Sequence, residues 1–376
     1  MQYSRVLNAY DKATFLCGAR VPPEIADPVS KSLPEVFLLS ELQEAAGREI
    51  AETTGAESGC VTSCAAACIT LGVAAAMVGD DRSAIARLPD PGSHPRRIVI
   101  QKGHCINFGA PVSQLIRLAG GELAEAGLEN GCSEEHIRAE LRRAPAAAVF
   151  AVESYHTAQY DGVPLVRLAE IAHEEGVPLL VDAATQELRL PQLVRTGADL
   201  IGCSAHKYFS APTAGVLAGR RDLIEAVLLQ SGGIGRTMKV GKEGIVGVIA
   251  ALKAFRKMDM DAWRRREDAK ILRVVAALED VPGLRPVVSP DPNGCPFLRA
   301  EVVVDESVLH CDVRTFAAKL LTCDPVVVVR VYGGQERTFH INATELTDDE
   351  VGLVCQALAA TAAACVRPTV ASQRGR

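Results

Sequence analysis

The middle of the chain alternates short runs of aliphatic residues with segments in which apolar residues recur every three or four positions. This alternation is typical of parallel βαβ units, because each strand is followed by a helix that crosses back over the sheet. We predict strands at residues 97–100, 147–152, 178–182, 200–203 and 214–218. Helices are predicted between them at residues 110–118, 133–142, 164–174 and 221–229. The order predicts a doubly wound α/β sheet, whose ligands bind beyond the carboxyl ends of the strands.

The pattern changes after Gly235 and predicts a second, smaller α/β region. Long helical patterns come first, at 242–257 and from the charged stretch 261–270 onward. Strands are predicted at 297–304, 326–332 and 338–342, a loop at 289–296, and frayed residues at 367–376. Thr347 and Glu350 have the spacing of a capping box, which predicts the start of the last helix. We therefore expect an N-terminal arm at 1–45, a large domain at 46–256 and a small C-terminal domain at 257–376.

Composition narrows the class of protein. The 376 residues are 48% hydrophobic and only 4% aromatic, which suits aliphatic α/β layers. A net charge of −6 argues against a protein that mainly binds nucleic acid, because neutralising phosphates requires an excess of Lys and Arg. Twelve cysteines are too sparse for a disulfide scaffold in a chain of this length. With no signal-peptide pattern and an apolar segment at 64–78 too short for a bilayer, we expect a reduced cytoplasmic protein without a membrane partner.

The strongest candidate site follows two neighbouring predicted strands. Asp182 ends the strand 178–182, and Ser204 and Lys207 follow the strand 200–203, so these side chains are expected at one edge of the sheet. A carboxylate and a lysine placed this way are what pyridoxal 5'-phosphate (PLP) chemistry requires. The lysine forms a Schiff base, and the carboxylate keeps the pyridine nitrogen protonated. The spacing alone leaves a surface lysine and a helix-capping aspartate as an alternative.

A second candidate site precedes the Ala-rich segment. Thr62, Ser63 and Cys64 lie where a helix is expected to begin. Hydroxyl groups and backbone N–H groups at a helix start bind anions, and a cofactor phosphate would suit them. Ordinary helix capping explains the same residues. Ser204 would add another hydroxyl to such a phosphate site.

Several longer segments carry a family resemblance. They include RVLNAYDKATFLCG, ELQEAAGREIAETTGAESGCVTS, GADLIGCSAHKYFSAPTAGVLAGR and GIGRTMKVGKEGIVGVIAAL. From Arg5 to about Leu252 the chain resembles fold-type I PLP enzymes of the group that contains selenocysteine synthase (L-seryl-tRNA selenium transferase) and D-glucosaminate-6-phosphate ammonia lyase. The resemblance implies an α/β fold like that of aspartate aminotransferase. Such a fold has a large, mostly parallel PLP-binding domain and a smaller C-terminal α/β domain.

The resemblance also implies a role for individual residues. Lys207 would be the Schiff-base lysine and the proton-transfer group, Asp182 the partner of the pyridine nitrogen, and His104 a residue beside the cofactor ring. The remaining cofactor-binding residues would be Thr62, Ser63, Cys64, Ser204 and His206. The substrate-binding residues would be Arg236, Lys239, Arg330 and Gln186. Simpler roles stay open, such as capping of a strand by His104. Cys64 departs from the small residue that many relatives carry in the phosphate turn.

The implied activity is PLP-dependent lyase chemistry on an amino acid or amino sugar acid. Deprotonation at Cα and β-elimination would give a 2-oxo acid and ammonia or, through an aminoacrylate, a β-replacement product. His206 favours the lyase branch. A PLP-dependent transferase, an aminotransferase, a C–S lyase or a non-catalytic PLP-binding regulator are the alternatives.

The resemblance implies partners as well. A homodimer or a higher oligomer is expected. A tRNA partner is not expected, because the resemblance begins at Arg5 and leaves no room for the N-terminal tRNA-binding region of the selenium transferases. Among the cysteines, Cys17, Cys105 and Cys203 are expected near the cofactor, and one of them is a candidate for a reactive thiol. No metal site is expected.

Overall fold

The computed structural model describes residues 3–157, 161–334 and 337–366. The chain divides into two compact units. The large unit is Gly18–Lys257, and the small unit combines Met1–Cys17 with Met258–Arg376. The expected arm at 1–45 is therefore split, because its first part lies in the small unit and its remainder in the large one.

The predicted strands and helices occur in the predicted order, and the structure adds elements that were not predicted. The strands are β1 (Val6–Asn8), β2 (Ser58–Thr62), β3 (Arg97–Gln101), β4 (Glu122–Ala126), β5 (Ala146–Val152), β6 (Leu179–Asp182), β7 (Leu200–Ser204), β8 (Gly215–Gly219), β9 (Leu284–Pro290), β10 (Leu298–Val304), β11 (Val326–Val328) and β12 (Thr338–Ile341). The helices are α1 (Pro23–Ser32), α2 (Leu39–Thr54), α3 (Ala65–Val78), α4 (Arg82–Arg87), α5 (Val112–Leu118), α6 (Glu134–Arg143), α7 (Leu165–Glu174), α8 (Leu190–Val194), α9 (Arg221–Leu229), α10 (Lys242–Lys257), α11 (Met260–Leu278), α12 (Glu306–Leu309), α13 (Val313–Leu320) and α14 (Asp348–Val366).

The large unit contains a seven-stranded sheet in the order β2-β8-β7-β6-β5-β3-β4. Strands β3 to β7 pair in parallel, while β8 is antiparallel to both of its neighbours. The prediction of a mostly parallel sheet is confirmed. It missed the edge strands β2 and β4, whose Gly, Ala, Glu and Cys residues carry little intrinsic strand preference and depend on their pairing partners.

Alternation along the central strands divides the core between the two faces of the sheet. Val149 and Val181 pack on one face, whereas Phe150 and Leu180 pack on the other. Because both faces are covered, the strands are continuously apolar. Helix α3 is apolar on all sides and lies in the second of these clusters.

The small unit has an antiparallel sheet in the order β12-β10-β9 and a separate parallel pair, β1 with β11. Two predicted bounds are wrong. The strand expected at 326–332 ends at Val328, and the loop expected at 289–296 begins only after Pro290, because β9 pairs with β10 up to that residue. The residues expected to fray, 367–376, lie outside the described ranges.

Helix α14 begins as the sequence indicates. Thr347 Oγ1 accepts the Glu350 N–H at 3.2 Å, and Glu350 Oε2 accepts the Thr347 N–H at 3.0 Å, which completes the capping box. Among the described residues α14 is the one helix long and apolar enough to cross a membrane by length and composition. Its Val354 and Leu358 pack in the core of the small unit, as the core helix of a folded domain does.

Gly18 packs closely against His206, and substitution of Gly18 tests this close contact. Its φ is +77°, and a Cβ there would lie 2.5 Å from the His206 carbonyl oxygen. Gly55 has the same left-handed backbone, at φ +79°, but open space around it. Gly55→Ala should therefore cost roughly 1–2 kcal/mol of unfolding free energy. Gly18→Ala should cost about 1–3 kcal/mol more, because the backbone must move.

Urea denaturation of both variants measures this difference. Equal losses for Gly18→Ala and Gly55→Ala would contradict the close approach of Gly18 to His206.

Candidate active site

The sheet register brings the predicted site residues to one edge. Asp182 is the last residue of β6, and Ser204 is the last residue of β7. Gly215, the first residue of β8, pairs with Ser204 on one side and with Thr62 on the other. A Cβ on Gly215 would lie 2.5 Å from Thr62 Oγ1 and from the Cys64 backbone. The two candidate sites of the sequence are thus neighbours on one edge.

Asp182 is buried, with 5% of its surface exposed, and its Oδ1 atom has no hydrogen-bond partner among the described residues. Burial raises the pKa of Asp182 to about 6, and the Lys207 charge and the Ala184 N–H lower it only in part. A buried carboxylate oxygen without a partner is costly unless a donor or cation is supplied to it. The described part of the folded chain therefore leaves one oxygen of Asp182 available to a donor from a bound molecule.

The turn that carries Lys207 is held by buried contacts. Ser204 Oγ lies 2.9 Å from His206 Nδ1, and both residues are buried. The His206 carbonyl accepts the Ala19 N–H at 2.7 Å. On the other side of Lys207, Glu187 Oε1 accepts the Tyr208 N–H at 3.3 Å. These contacts fix the backbone on both sides of the lysine.

The residues that precede α3 combine a hydroxyl, a helix start and a thiol. Thr62 Oγ1 donates to the Cys64 carbonyl at 3.0 Å and lies 3.1 Å from Cys68 Sγ. Ser63 is half-buried between them. Cys64 caps the helix, because its Sγ accepts the Ala67 N–H at 3.4 Å. An anion at this helix start would compete with the thiol for that N–H group.

His104 lies one turn after β3, beside the carboxyl end of β5. Its Nδ1 accepts the backbone N–H of Val152 at 2.9 Å, and Val152 pairs with Asp182 across the two strands. Burial lowers the pKa of His104 to about 4, so the ring is neutral at physiological pH. Since Nδ1 accepts a hydrogen bond, the neutral ring carries its proton on Nε2. His104 thus holds the end of a strand as its simpler interpretation requires.

Arg236 and Lys239 lie on the rim of an open cavity of about 740 Å³ in the large unit. Both side chains are exposed. The cavity is lined by residues of α2, α9 and β2, including Thr62. Arg236 and Lys239 therefore share a cavity with one of the phosphate candidates, and their substrate role stays a prediction.

Gln186 and Arg330 lie in different surroundings. Gln186 is buried, and its amide contacts the Glu153 carbonyl at 3.4 Å and Arg189 Nη1 at 3.0 Å. Those contacts give Gln186 a structural role in this turn, and its substrate role stays a prediction. Arg330 lies in the small unit beside Asp11, with Nη1 3.2 Å from Asp11 Oδ2. Its side chain is 12% exposed, so Arg330 is not a freely solvated loop residue, and its substrate role stays a prediction.

The twelve cysteines all lie in the described ranges, and all are free thiols. Burial raises the pKa of Cys105 to about 11 and that of Cys203 well above its ordinary value. Because the thiolate is the reactive form, neither suits a nucleophile at neutral pH. Cys17 is exposed and belongs to the small unit.

A buried acid with an unfilled acceptor, a charged lysine whose field reaches it, and hydroxyl groups at a helix start fit a cationic ring that carries a phosphate. The family model described as aminotransferase class-V matches residues 98–308. The chain belongs to the aminotransferase class-V family. It is a PLP-dependent enzyme with the fold-type I architecture, as the sequence resemblance implied.

Three matches cover most of the chain. A 5'-C-glycyluridine monooxygenase-decarboxylase of Streptomyces sp is 36% identical over 293 residues, which are 78% of this chain and 73% of that protein. D-glucosaminate-6-phosphate ammonia lyase of Salmonella typhimurium (strain 14028s / SGSC 2262) is 31% identical over 350 residues, 93% of each chain. A solved structure of D-glucosaminate-6-phosphate ammonia-lyase superimposes with a TM-score of 0.87 at 31% identity, covering 97% of both chains.

The structure also reveals residues that the sequence analysis did not select. Glu187 is buried and supports the Lys207 turn, although it follows Asp182 by only five positions. Asp11 contacts Arg330 from a segment far away in sequence. A buried acid shortly after a strand end was a usable signal for Glu187. The Asp11 contact depends on the pairing of β1 with β11, which no local pattern shows.

The raised pKa of Asp182 predicts how the cofactor-free protein responds to pH. Because the folded pKa, about 6, exceeds the ordinary 3.8, stability is fully present below the lower value and is lost as the pH rises through the higher one. Asp182→Asn removes this titration. Relative to wild type, the variant should gain roughly 2–3 kcal/mol of unfolding free energy between pH 4 and pH 8.

Urea denaturation of both cofactor-free proteins at the two pH values measures the change. The difference between pH values cancels any constant effect of the amide itself. A gap between variant and wild type that does not depend on pH would contradict the burial of an ionisable Asp182.

Proposed function

We propose that this enzyme is a lyase that removes the β-substituent and the amino group of a sugar-derived α-amino acid. The similarity to D-glucosaminate-6-phosphate ammonia lyase supports the reaction, and the buried Asp182 oxygen without a partner is the observation that carries the cofactor's place in it. The pyridinium N–H of PLP is a donor and a cation of the kind that this oxygen requires. When bound, PLP supplies an electron sink for negative charge at the substrate Cα.

The remaining residues of the sheet edge would hold the cofactor at its other end. Thr62, Ser63 and Ser204 offer hydroxyl groups, and α3 offers the N–H groups of its first turn, to the phosphate. Cys64 would release the Ala67 N–H or remain beside the phosphate. His104 and His206 would contact the cofactor as neutral side chains, since burial lowers the pKa of both.

Lys207 would anchor the cofactor and then exchange a proton with the substrate Cα. A lysine suits both tasks because its amine can form a covalent link and act as a general base. Ser204, His206 and Glu187 restrict the backbone around it, so the amine is delivered from a fixed turn. We propose that Arg330 binds the substrate carboxylate, and that Arg236, Lys239 and Gln186 take part in recognition of the rest of the substrate.

The relatives narrow the substrate class. D-glucosaminate and 5'-C-glycyluridine are both α-amino acids with a hydroxyl on the β-carbon and a sugar-derived side chain. Elimination from such a compound is balanced without an oxidant. The Cα proton and the β-hydroxyl leave as water, and water then replaces nitrogen, which leaves a 2-oxo-3-deoxy acid and ammonia. The 36% identity to a monooxygenase-decarboxylase makes oxidative decarboxylation the second candidate.

A substrate screen tests the proposed reaction. Protein loaded with PLP should release ammonia and a 2-oxo acid in equal amounts from at least one β-hydroxy-α-amino acid, such as D-glucosaminate 6-phosphate or serine. No oxygen should be consumed. Lys207→Ala should reduce this activity at least about a thousandfold, because it removes the covalent anchor and the base.

Lys253→Ala, at an exposed lysine paired with Glu49, is the matched control and should retain wild-type activity. Oxygen uptake with release of carbon dioxide would support the second candidate instead. A wild-type protein that binds no PLP would overturn both.

We propose that the enzyme is a cytoplasmic homodimer and that one apolar surface forms the interface. Residues 33–39, here called the apolar strap, expose large aliphatic side chains: Val36 is 95% and Leu38 64% exposed. Lys242 Nζ donates to the carbonyls of Leu33 and Glu35, which orders the strap before any partner arrives.

The strap adjoins the 740 Å³ cavity, since Leu39 contributes to the cavity lining. The cavity lining carries charges of both signs. Glu44 and Glu52 on α2 are negative, and Arg236 and Lys239 are positive. A surface that offers an apolar projection, an apolar cavity and both charge signs is complementary to a second copy of itself around a two-fold axis.

Val36→Asp should weaken dimerisation at least tenfold, because it places a charge in an apolar interface. Sedimentation equilibrium measures the dissociation constant, and circular dichroism should show an unchanged fold since the side chain is solvent-exposed in the single chain. Val166→Asp, at a half-exposed valine on α7, is the control. A monomeric wild type would contradict the proposed dimer.

A further inference from the structure

Two arginines of the small unit share one carboxylate but differ in exposure. Asp11 Oδ2 accepts from Arg299 Nη2 at 2.8 Å and from Arg330 Nη1 at 3.2 Å. Arg299 is 1% exposed and also pairs with the buried Asp291, with Nε 2.6 Å from Asp291 Oδ2. The side chain of Arg330 is 12% exposed. Arg299 is thus enclosed in the core, whereas Arg330 reaches the surface of its unit.

Two aromatic rings lie close to the Arg330 guanidinium. The guanidinium carbon of Arg330 lies 5.0 Å from the ring centroid of Tyr10 and 4.6 Å from that of Tyr332. Both distances lie within the range of cation–π attraction. The rings are themselves packed, Tyr10 edge-on to Phe15 at 5.0 Å and Tyr332 edge-on to His340 at 4.6 Å. The guanidinium is therefore restrained by two rings and by Asp11.

The backbone of Arg330 is fixed as well. Its N–H donates to the His340 carbonyl at 3.0 Å, and its carbonyl accepts the His340 N–H at 2.7 Å. The strand expected at 326–332 ends before this residue, yet this pair of hydrogen bonds ties Arg330 to β12. Both ends of the side chain are thus anchored.

The local sequence explains why Asp11 stays in place. Asn8 Oδ1 accepts the N–H groups of Tyr10 at 3.0 Å and of Asp11 at 3.3 Å, while its Nδ2 donates to the Asp11 carbonyl at 2.9 Å. Asn342 Nδ2 donates to Asp11 Oδ1 at 3.2 Å. With Arg299 on the other oxygen, the Asp11 carboxylate is held from three directions. The Asp11 carboxylate is therefore a fixed hydrogen-bond acceptor that holds Arg330 in one position.

We propose that Asp11, Tyr10 and Tyr332 are positioning residues that hold the Arg330 guanidinium ready to bind the carboxylate of an amino-acid substrate. The inference rests on the carboxylate-binding role proposed above for Arg330. A planar guanidinium recognises a carboxylate best when its plane is fixed, because two parallel hydrogen bonds then form without further ordering of a long side chain. A lysine would not replace it, since an ammonium group lacks the planar fork.

Paired ligands of the PLP-loaded enzyme test the proposal. Glycine carries an amine and a carboxylate, and glycinamide carries the same amine without the carboxylate. Dissociation constants follow from the change in cofactor absorbance when each is added. Wild type should bind glycine at least tenfold more tightly than glycinamide. Asp11→Asn should lose most of that preference while its affinity for glycinamide changes less than threefold.

Asp305→Asn is the matched control, because Asp305 also pairs with an arginine of the small unit, Arg285 at 2.6 Å. It should keep the wild-type preference. A preference for glycine that survives Asp11→Asn would overturn the positioning role of Asp11.

A second pair of variants keeps the test decisive if Asp11→Asn does not fold. Tyr332→Leu removes one ring from Arg330 and should reduce the preference for glycine at least threefold, whereas Tyr332→Phe keeps the ring and should preserve it. Equal behaviour of the two variants would overturn the role of the ring.

The outcomes also separate this inference from the proposed function. A wild type that binds both ligands equally would overturn the carboxylate role of Arg330 and the positioning inference with it, while leaving the PLP chemistry standing. No absorbance of bound cofactor at all would overturn the PLP site itself.

Discussion

The buried carboxylate of Asp182 is the constraint on which the site depends. At the end of β6 it is enclosed by the sheet edge, and burial raises its pKa to about 6 even with the Lys207 charge nearby. A folded chain rarely retains a buried oxygen without a partner unless something outside the chain supplies one. Under the proposed function, the pyridinium N–H of PLP would supply that partner. The buried charge that destabilises the cofactor-free protein would then contribute to cofactor affinity.

The sheet order explains why these groups meet. Ser204 and Thr62 are 142 positions apart in sequence, yet both pair with Gly215, because antiparallel β8 lies between β7 and β2. Parallel β5 and β6 place Val152, the partner of His104, level with Asp182. The candidate site residues therefore lie at the ends of several strands, and the register of the sheet fixes their positions relative to one another. The turns that carry Lys207 need only short supporting contacts from Ser204 and Glu187.

In the small unit, too, a carboxylate held by the fold interacts with more than one charged group. Asp11 pairs with the fully buried Arg299 and with the partly buried Arg330, and the Arg299 pair holds the carboxylate in place for Arg330. Burial of Arg299 is compensated by Asp291, so the Asp11 to Arg330 contact does not have to stabilise the fold alone. This arrangement links the N-terminal NAYD segment to a residue more than three hundred positions later.

Local pattern was sufficient for the elements whose signals are local. The periodicity predicted the parallel strands β3, β5, β6 and β7 and the helices between them. The Thr347 to Glu350 spacing predicted a cap, and the Asp182 and Lys207 positions followed from strand ends. Edge strands β2 and β4, the end of β11 at Val328 and the extent of β9 depended on pairing partners, which a single sequence does not display. The helix start at Cys64 was visible, but the thiol that occupies its Ala67 N–H was not.

By itself, then, the sequence determined the fold class through its periodicity and its family resemblance. It also predicted a sheet edge whose residues suit PLP chemistry, because strand ends are properties of short segments. Only the tertiary structure decided which of those residues have a hydrogen-bond or charge partner and which are too deeply buried to ionise. Whether Asp182 lacks a partner, whether Cys203 is too deeply buried to ionise, and whether Arg330 faces solvent or a carboxylate are consequences of burial and of contacts between distant segments. Electrostatic free energy depends on that environment, and no spacing along the chain encodes it.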